Sequence, residues 1–232
     1  MIDEGNKATE KAWQMDKTAL TTYPILDVLA KRWTVRAFSD RPIEPQKLRC
    51  LFEAARWAPS SFNEQPWRFV IATKDNPGDF ETMTSCLLDK NQRWVRGGGV
   101  PFLMVALSKR VFTYNGKPNR AHTHDVGLAF GNFVIQATAM GLSVCQMQGI
   151  HRQRVMEVYG VPEEFQPAMA CAVGYAGEVR RLPEEFHERE MRLRSRAAFR
   201  DFVFGGQFGT PADLFSSPLD ESREIFQKRR VG

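Results

Sequence analysis

The sequence predicts an α+β sandwich in which helices bury a single β-sheet. Segments with helical spacing of apolar residues alternate along the chain with short apolar segments that are typical of buried strands. These apolar segments are few, and long helical segments separate them. The chain has 232 residues, of which 43% are hydrophobic, so it can bury a core without disulfides or metal ions. Its length predicts one domain with an appended tail.

Prolines mark the first two predicted helices. Pro24 suits the first turn of a helix that reaches about Arg32, and Pro45 starts a second helix that Pro59 ends. Four more helices are predicted, at residues 80–88, 122–140, 153–159 and 184–194. Because small residues recur through helix 122–140, we expect this helix to lie centrally and to pack closely against its neighbours.

Four short apolar segments are predicted to be strands, and they cover residues 67–73, 100–108, 144–147 and 167–175. A further short strand is expected at residues 202–204. Residues 109–121 are polar and contain Gly116 and Pro118, which predicts a loop. Because this loop carries Phe112 and Tyr114, it is either a lid over a substrate or an ordinary surface loop.

The charge of the chain favours small anionic ligands over nucleic acid. The net charge is +5, but the positive residues are spread along the chain, and no nucleic-acid-binding motif is present. The four cysteines lie far apart without a Cys-x-x-Cys pair, so neither a disulfide framework nor a zinc site is expected. Cys50, Cys86 and Cys171 are interpreted as small fillers of the core.

The sequence shows no targeting or membrane-spanning segment. Residues 1–5 are acidic and polar, unlike a signal peptide. The longest purely apolar stretch, residues 100–107, is far too short to span a bilayer. Together with the unpaired cysteines, these observations predict a cytoplasmic protein without a membrane partner.

Two polar segments indicate a ligand site. Pro59 ends an apolar helix, and Asn63 and Gln65 then offer amide groups on a stiff loop. Upstream, Arg32 and Arg36 are four residues apart, so they can share a helix face and hold an anion. These residue types predict a site for a phosphorylated, planar ligand that is rich in hydrogen-bonding groups.

The familiar motifs that would supply catalytic groups are absent. We find no dinucleotide fingerprint, no Walker sequence and no nucleophile elbow. His122 and His124 point in different directions on a helix, so a metal site is not expected. A bound cofactor is therefore expected to carry the chemistry. Arg194 and Arg196 are either a solvated helix end or a second part of the phosphate site.

Two motifs, RWTVRAF at residues 32–38 and APSSFNEQPW at residues 58–67, resemble the entry signature of the nitroreductase family of FMN-dependent oxidoreductases. Later segments resemble that family's central helix, flavin-facing strand and last core strand, at residues 125–129, 136–142, 146–150 and 174–177. The resemblance covers residues 24–205. It implies a mostly antiparallel sheet flanked by helices, in a homodimer with each flavin at the subunit interface. Outside it, residues 1–23 are predicted as an N-terminal arm or helix and residues 206–232 as a C-terminal tail.

The resemblance also implies which residues bind FMN, and it assigns no catalytic side chain, because flavin N5 carries the chemistry. The start motif, on the phosphate and the pyrimidine edge, contains Arg32, Trp33, Thr34 and Arg36. The loop that reaches the flavin of the partner subunit contains Pro59, Ser60, Ser61 and Asn63. Asn91 matches an amide near the ring or the ribityl chain, and the segment facing N5 is Gln146, Met147, Gln148 and Gly149. Arg194 and Arg196 match a C-terminal basic pair on the phosphate.

The function implied by the resemblance is a ping-pong, two-electron reduction. NADH or NADPH would act as a transient reductant, and a small-molecule acceptor such as a nitroaromatic or a quinone would follow in the same place. Three alternatives stay open: a same-fold enzyme that dehalogenates its substrate or fragments the flavin, a flavin-binding storage or sensor protein with little turnover, and an interaction domain without flavin. The bulky Trp33 and the unusual Gln148 leave the choice of acceptor open.

Overall fold

The computed structural model describes residues 17–215 and residue 217, and these fall into two compact units. Residues 32–191 form the larger unit, which we call the core unit. Residues 17–31 and the described residues from 192 onward form the smaller one, which we call the terminal unit. Most of the predicted N-terminal arm and more than half of the predicted C-terminal tail lie outside the described residues, so those domain boundaries stay predictions.

The described residues contain seven α-helices and four strands. The helices are α1 (Asp27–Lys31), α2 (Pro45–Arg56), α3 (Pro77–Ser85), α4 (Asp89–Gly97), α5 (His122–Ala139), α6 (Arg152–Val158) and α7 (His187–Met191). The strands are β1 (Trp67–Thr73), β2 (Phe102–Lys109), β3 (Ser143–Met147) and β4 (Phe165–Gly174). Short 3₁₀ helices lie at Ser61–Asn63, Val179–Arg181, Glu184–Phe186, Phe199–Asp201 and Asp213–Phe215. Apart from α1, every helix and strand named with a Greek label belongs to the core unit.

The four strands form one antiparallel sheet in the order β1-β2-β4-β3. Strands β2 and β4 lie in the centre, and seven of the eight residues of β2 are buried. Strands β1 and β3 form the two edges, and each pairs on one side only within the sheet. The predicted antiparallel sheet is therefore confirmed.

Helices cover both faces of this sheet, as the alternation of side chains along β2 shows. Met104 packs in a cluster that contains residues of α2 and α5, whereas its neighbour Val105 packs in a second cluster with residues of α3, α4 and α6. Successive strand residues point to opposite faces, so each face buries its own core. The predicted α+β sandwich is confirmed. Helix α5 buries seven of its 18 residues, but its small residues Gly127 and Gly131 are exposed, so the expectation that they pack closely against neighbouring elements was wrong.

Several predicted boundaries were wrong. The first helix begins at Asp27 and not at Pro24, and the third covers Pro77–Ser85, with the Asn76 side chain accepting a hydrogen bond from the backbone N–H of Asp79. Helix α4 was missed because Trp94 and Val95 are its only buried residues.

The predicted helix 184–194 is a 3₁₀ turn followed by α7, which ends at Met191. Arg194 and Arg196 therefore lie beyond the helix and do not form its end. The strand expected at residues 202–204 is a single bridge between Phe204 and Pro211.

The described residues hold four free cysteines. Cys86 and Cys171 are buried, as predicted, and so is Cys145. Cys50 is only half-buried, so its interpretation as a core filler was wrong. No helix in the described part of the chain has the length and apolar character needed to cross a membrane.

Candidate functional site

A cavity of about 190 Å³ opens in the core unit beside the edge strand β3. Its walls come from the end of β3 and the turn after it, the first half of α4, the segment before α2, and α7 with the turn that precedes it. The lining residues are Arg36, Lys90, Asn91, Trp94, Cys145, Gln146, Met147, Gln148, Gly149, Phe186 and Arg189. We call it the Arg36 cavity.

The open edge of β3 gives this cavity backbone hydrogen-bond donors. Strand β3 pairs with β4 along one side through Met147, so its other side is free of the sheet ladder. Gln148 and Gly149 follow directly, and among the described residues neither backbone N–H has an acceptor. Unpaired backbone N–H groups at a cavity wall are suited to polar atoms of a ligand.

Helix α4 holds the turn after β3 in place. The Gly149 carbonyl accepts hydrogen bonds from the Leu88 N–H and from Asn91 Nδ2, both at 3.0 Å. The Asn91 side chain is fixed in turn, because Trp94 Nε1 donates to its Oδ1 at 3.1 Å. A Cβ atom at position 149 would lie 2.5 Å from Asn91 Nδ2, so this close approach requires glycine.

Three cations face the cavity, namely Arg36, Lys90 and Arg189. Their charge favours an anionic ligand. Burial raises the pKa of the neighbouring Cys145 thiol to about 12, although Arg36 acts to lower it. That thiol therefore keeps its proton at neutral pH and is not a nucleophile.

The second part of the sequence motif forms a loop between α2 and β1, which we call the Ser60 loop (residues 57–66). Three of its non-glycine residues have positive φ angles: Phe62 at 53°, Asn63 at 55° and Gln65 at 50°. Such conformations cost free energy and persist only where the surroundings hold them. Ser60 Oγ accepts a hydrogen bond from the Gln65 N–H at 3.0 Å, which closes the loop from inside.

Two carboxylates anchor the Ser60 loop to neighbouring segments of the chain. The buried Asp125 on α5 accepts a hydrogen bond from the Ser61 N–H at 3.0 Å. Glu64 accepts two more from Thr113, through its backbone N–H and its hydroxyl. The ring of Phe62 is 79% exposed and lies 5.7 Å and 5.9 Å, between ring centroids, from Phe112 and Tyr114. Loop 109–121 thus packs on the Ser60 loop, and its role as a substrate lid stays a prediction.

The cavity brings together Arg36, Asn91 and the four residues Gln146 to Gly149, all named from the sequence. Pro59, Ser60, Ser61 and Asn63 lie instead beside β1, at the opposite edge of the sheet. Arg32 and Thr34 are half-buried and do not line the cavity, while Trp33 packs against the core.

Arg194 and Arg196 belong to the terminal unit. There Arg194 Nη1 donates to the carbonyls of Lys17 and Ala30, both at 2.6 Å, and Arg196 Nη1 donates to the Ser195 carbonyl at 2.7 Å. Their predicted role on a phosphate stays a prediction.

Sequence reasoning missed several residues of this site, namely Lys90, Trp94, Cys145, Phe186, Arg189 and Glu190. Lys90 and Trp94 belong to the missed helix α4. Arg189 and Glu190 lie in a charged segment that was interpreted as a surface helix. The alternation of charges there carried no signal that one carboxylate is buried.

Comparison with known proteins identifies the family. The nitroreductase family model matches residues 29–175. The chain belongs to the nitroreductase family. One relative, Protein DrgA of Synechocystis, is 28% identical over 172 residues, which cover 64% of this chain and 82% of that protein. The FMN reductase (NADPH) of Bacillus subtilis is 25% identical over 191 residues, which cover 73% and 75%.

Solved structures agree with this membership in the nitroreductase family. A crystal structure described as an oxidoreductase containing FMN is 30% identical and has a TM-score of 0.76, covering 84% of this chain and 98% of that one. A nitroreductase-family protein of Clostridium novyi is 18% identical, with a TM-score of 0.58, over 69% and 89%. The similarity to the Clostridium novyi protein supports the fold alone.

Proposed function

We propose that this chain is an FMN-dependent oxidoreductase that uses NADH or NADPH to reduce nitroaromatic, quinone or similar small acceptors in a ping-pong cycle. The observation that carries the proposal is the Arg36 cavity, where three cations and two unpaired backbone N–H groups face one space in a chain of the nitroreductase family. The FMN-containing structure and the FMN reductase among its relatives support the choice of cofactor.

The residues of the cavity fit the chemistry of FMN. Its phosphate is a dianion that suits arginine and lysine, and the heteroatom edge of its ring accepts hydrogen bonds from N–H donors. Arg36, Lys90 and Arg189 supply the charge, and Gln148 and Gly149 supply backbone donors. Because Gly149 has no Cβ, the Asn91 amide can approach this backbone closely and hold it in place. When bound, FMN accepts two electrons from the nicotinamide and passes them to the acceptor.

The cations of the cavity have a second effect. Preorganised positive charge stabilises negative charge that develops on a bound group, and it does so without reorganising the protein. Among the residues that the structure describes, none that lines the cavity is a carboxylate or a histidine, and the Cys145 thiol keeps its proton. The protons of the reduction therefore come from water. Since no dinucleotide fingerprint is present, the nicotinamide cofactor need only stack briefly in the cavity.

We also propose that two copies of the chain complete the site. The Arg36 cavity, at about 190 Å³, is smaller than the roughly 300–1,000 Å³ of a typical ligand pocket. The Ser60 loop lies across the sheet from it, beyond β2 and β4. In a homodimer, the Ser60 loop of one protomer covers the cavity of its partner. We place this activity in the cytoplasm, where the free cysteines stay reduced.

An absorption spectrum of the purified protein tests the proposal. The wild-type chain should show flavin bands after addition of FMN, lose them on anaerobic addition of NADPH and regain them when a nitroaromatic is added. Arg36→Gln should weaken the bands, whereas Arg49→Gln, at an exposed arginine on α2, should not. A colourless protein would contradict flavin binding. Bands that persist with NADPH would favour storage or sensing, and reoxidation by a haloaromatic alone would favour dehalogenation.

A further inference from the structure

Glu190 is a buried carboxylate next to the Arg36 cavity. It lies on α7, directly after the cavity residue Arg189, and is only 2% exposed. Its Oε1 accepts a hydrogen bond from the backbone N–H of Arg36 at 3.0 Å, and its Oε2 lies 3.4 Å from Nη1 of the same residue. The backbone N–H of Ala37 also acts to lower the pKa of this carboxyl. Glu190 therefore holds Arg36 by both its backbone and its guanidinium.

The backbone around Arg36 shows why a carboxylate is needed there. The N–H groups of Phe38 and Ser39 donate to the carbonyls of Gly98 and Tyr175, at 2.7 Å and 3.0 Å. The Arg36 N–H, two residues before Phe38, has Glu190 as its acceptor. A buried N–H without an acceptor is costly, so Glu190 completes the hydrogen bonding of the segment that carries Arg36.

The charge of Glu190 depends on its partner. Burial raises the pKa of the Glu190 carboxyl, and the Arg36 guanidinium and the two backbone N–H groups oppose that shift. The side chain of Arg36 is 14% exposed and faces the cavity, so it contacts Glu190 from the open side. A guanidinium held by a buried carboxylate loses little further freedom when a ligand binds.

From this geometry we infer that Glu190 is a positioning residue for the ligand of the Arg36 cavity: it holds the Arg36 guanidinium where an anionic flavin cofactor meets it. The inference rests on the proposed function, because it takes FMN as that ligand. Glu190 does not line the cavity, so its effect on binding passes through Arg36. That dependence separates it from a carboxylate that merely stabilises the fold.

A double-mutant cycle tests the inference with FMN as the probe. Dissociation constants are measured by quenching of flavin fluorescence for the wild type, Glu190→Gln, Arg36→Gln and the double variant. Glu190→Gln should weaken FMN binding about tenfold or more, because it removes one partner of a buried charge pair. In the Arg36→Gln background the same change should weaken binding less than about twofold, because the residue that it positions is gone.

Two further variants control for folding and charge. Glu190→Asp keeps the charge and should lose less affinity than Glu190→Gln. Should the glutamine variant fail to fold, Glu190→Asp takes its place in the cycle. Glu185→Gln, which removes an exposed carboxylate paired with Arg93, should leave FMN affinity unchanged. Thermal unfolding of the FMN-free variants reports the coupling of the ion pair in the absence of ligand.

The outcomes separate this inference from the proposed function. A wild-type chain that fails to bind FMN overturns both. If the wild type binds FMN but the affinity losses of the two single variants add in the double variant, the inference alone is overturned. Glu190 would then act on the fold and not through Arg36. Equal loss in Glu190→Gln and Glu185→Gln would overturn it as well.

Discussion

The Arg36 cavity and the Ser60 loop are the two parts of one sequence signature, yet they differ in place and in character. The cavity lies at the β3 edge, is concave and positive, and has a wall of backbone held by buried groups. The loop lies beside β1, presents an exposed aromatic ring and carries three non-glycine residues with positive φ. Three strand spacings of about 4.8 Å separate these edges by about 14 Å.

The two parts of the signature are therefore close in sequence and separate in the core unit. Under the proposed function, a single cofactor touches both parts because it lies between two copies of the chain. The cavity would then provide affinity through charge, and the loop would provide a covering surface.

The largest effect is expected at the segment behind the cavity. In Gly177→Ala the new Cβ would lie 2.4 Å from the carbonyl carbon and oxygen of Phe38, and backbone atoms cannot move aside cheaply. We expect the free energy of unfolding to fall by about 3 kcal/mol or more. Urea denaturation measures it. The matched control is Gly127→Ala on α5, where no atom lies within 4 Å and a gain of about 0.5–1 kcal/mol is expected. Equal effects at both positions would contradict the close packing of this segment.

A smaller effect is expected where the Ser60 loop is anchored. Asp125→Ala removes the acceptor of the Ser61 N–H, which should lower the free energy of unfolding by about 2 kcal/mol. Amide hydrogen exchange should quicken at residues 60–65, because the strained loop loses its support. Exchange in the turn at residues 148–149, across the sheet, should not change. Faster exchange at both places would show that the two regions are not independent.

The segment that carries Arg36 leads to a second carboxylate, Glu44, whose response to pH is the opposite of that of Glu190. Hydrogen bonds from Tyr175 and Arg41 lower the pKa of Glu44 from 4.5 to about 2. Its contribution to stability is therefore present above pH 4.5 and is lost as the pH falls toward 2. Burial raises the pKa of Glu190, so its contribution is fullest below pH 4.5 and is lost as the pH rises through its folded value.

Unfolding of Glu44→Gln and Glu190→Gln between pH 2 and 7 measures both trends. On acidification, the free energy of unfolding of the wild type should lose its advantage over that of Glu44→Gln. Relative to Glu190→Gln, the free energy of unfolding of the wild type should increase. Glu81→Gln, at an exposed ion pair with Arg96, controls for the general loss of a surface carboxylate. Parallel curves for the two variants would rule out the contrast.

The smallest effect is expected within the Ser60 loop itself. Asn63→Gly relieves a positive φ angle of 55° at an exposed position, at the expense of one exposed hydrogen bond from Gln65. We expect the free energy of unfolding to rise by about 0.5 kcal/mol. Phe62→Gly relieves similar strain but loses its ring contacts, so it should be less stable than Asn63→Gly. A destabilised Asn63→Gly would mean that the loop conformation is not strained there.

Local patterns were enough to predict much of the fold. Strand β1 has the predicted bounds because its apolar run is flanked by Pro66 and by a polar turn, and α2 begins at Pro45 as predicted. Helix α4 was not predicted, because a charged segment with two buried residues has too weak a helical periodicity of apolar residues. Strand order is not local information, so the separation of the Ser60 loop from the Arg36 cavity could not be predicted from spacing.

The residue types themselves predicted only part of the site. The guanidinium of Arg36 indicated an anion site, and the structure brings Arg36 to the cavity, whereas Asn91 and the four residues Gln146 to Gly149 were implied by the family resemblance. Glu190 could not be identified in this way, because the sequence of a charged segment does not show which of its glutamates is buried. The raised pKa that marks Glu190 is a property of the packed environment and has no counterpart in the sequence.

The carbonyl of Gly149 has a consequence for how the cavity meets its ligand. That one oxygen accepts hydrogen bonds from Leu88, directly before α4, and from Asn91 on α4, so the peptide group cannot rotate without breaking both. The cavity wall therefore keeps its orientation whether it is vacant or filled, and whatever charge its occupant carries. This wall loses its conformational entropy when the chain folds. Ligand binding therefore requires no further ordering or rearrangement of the wall.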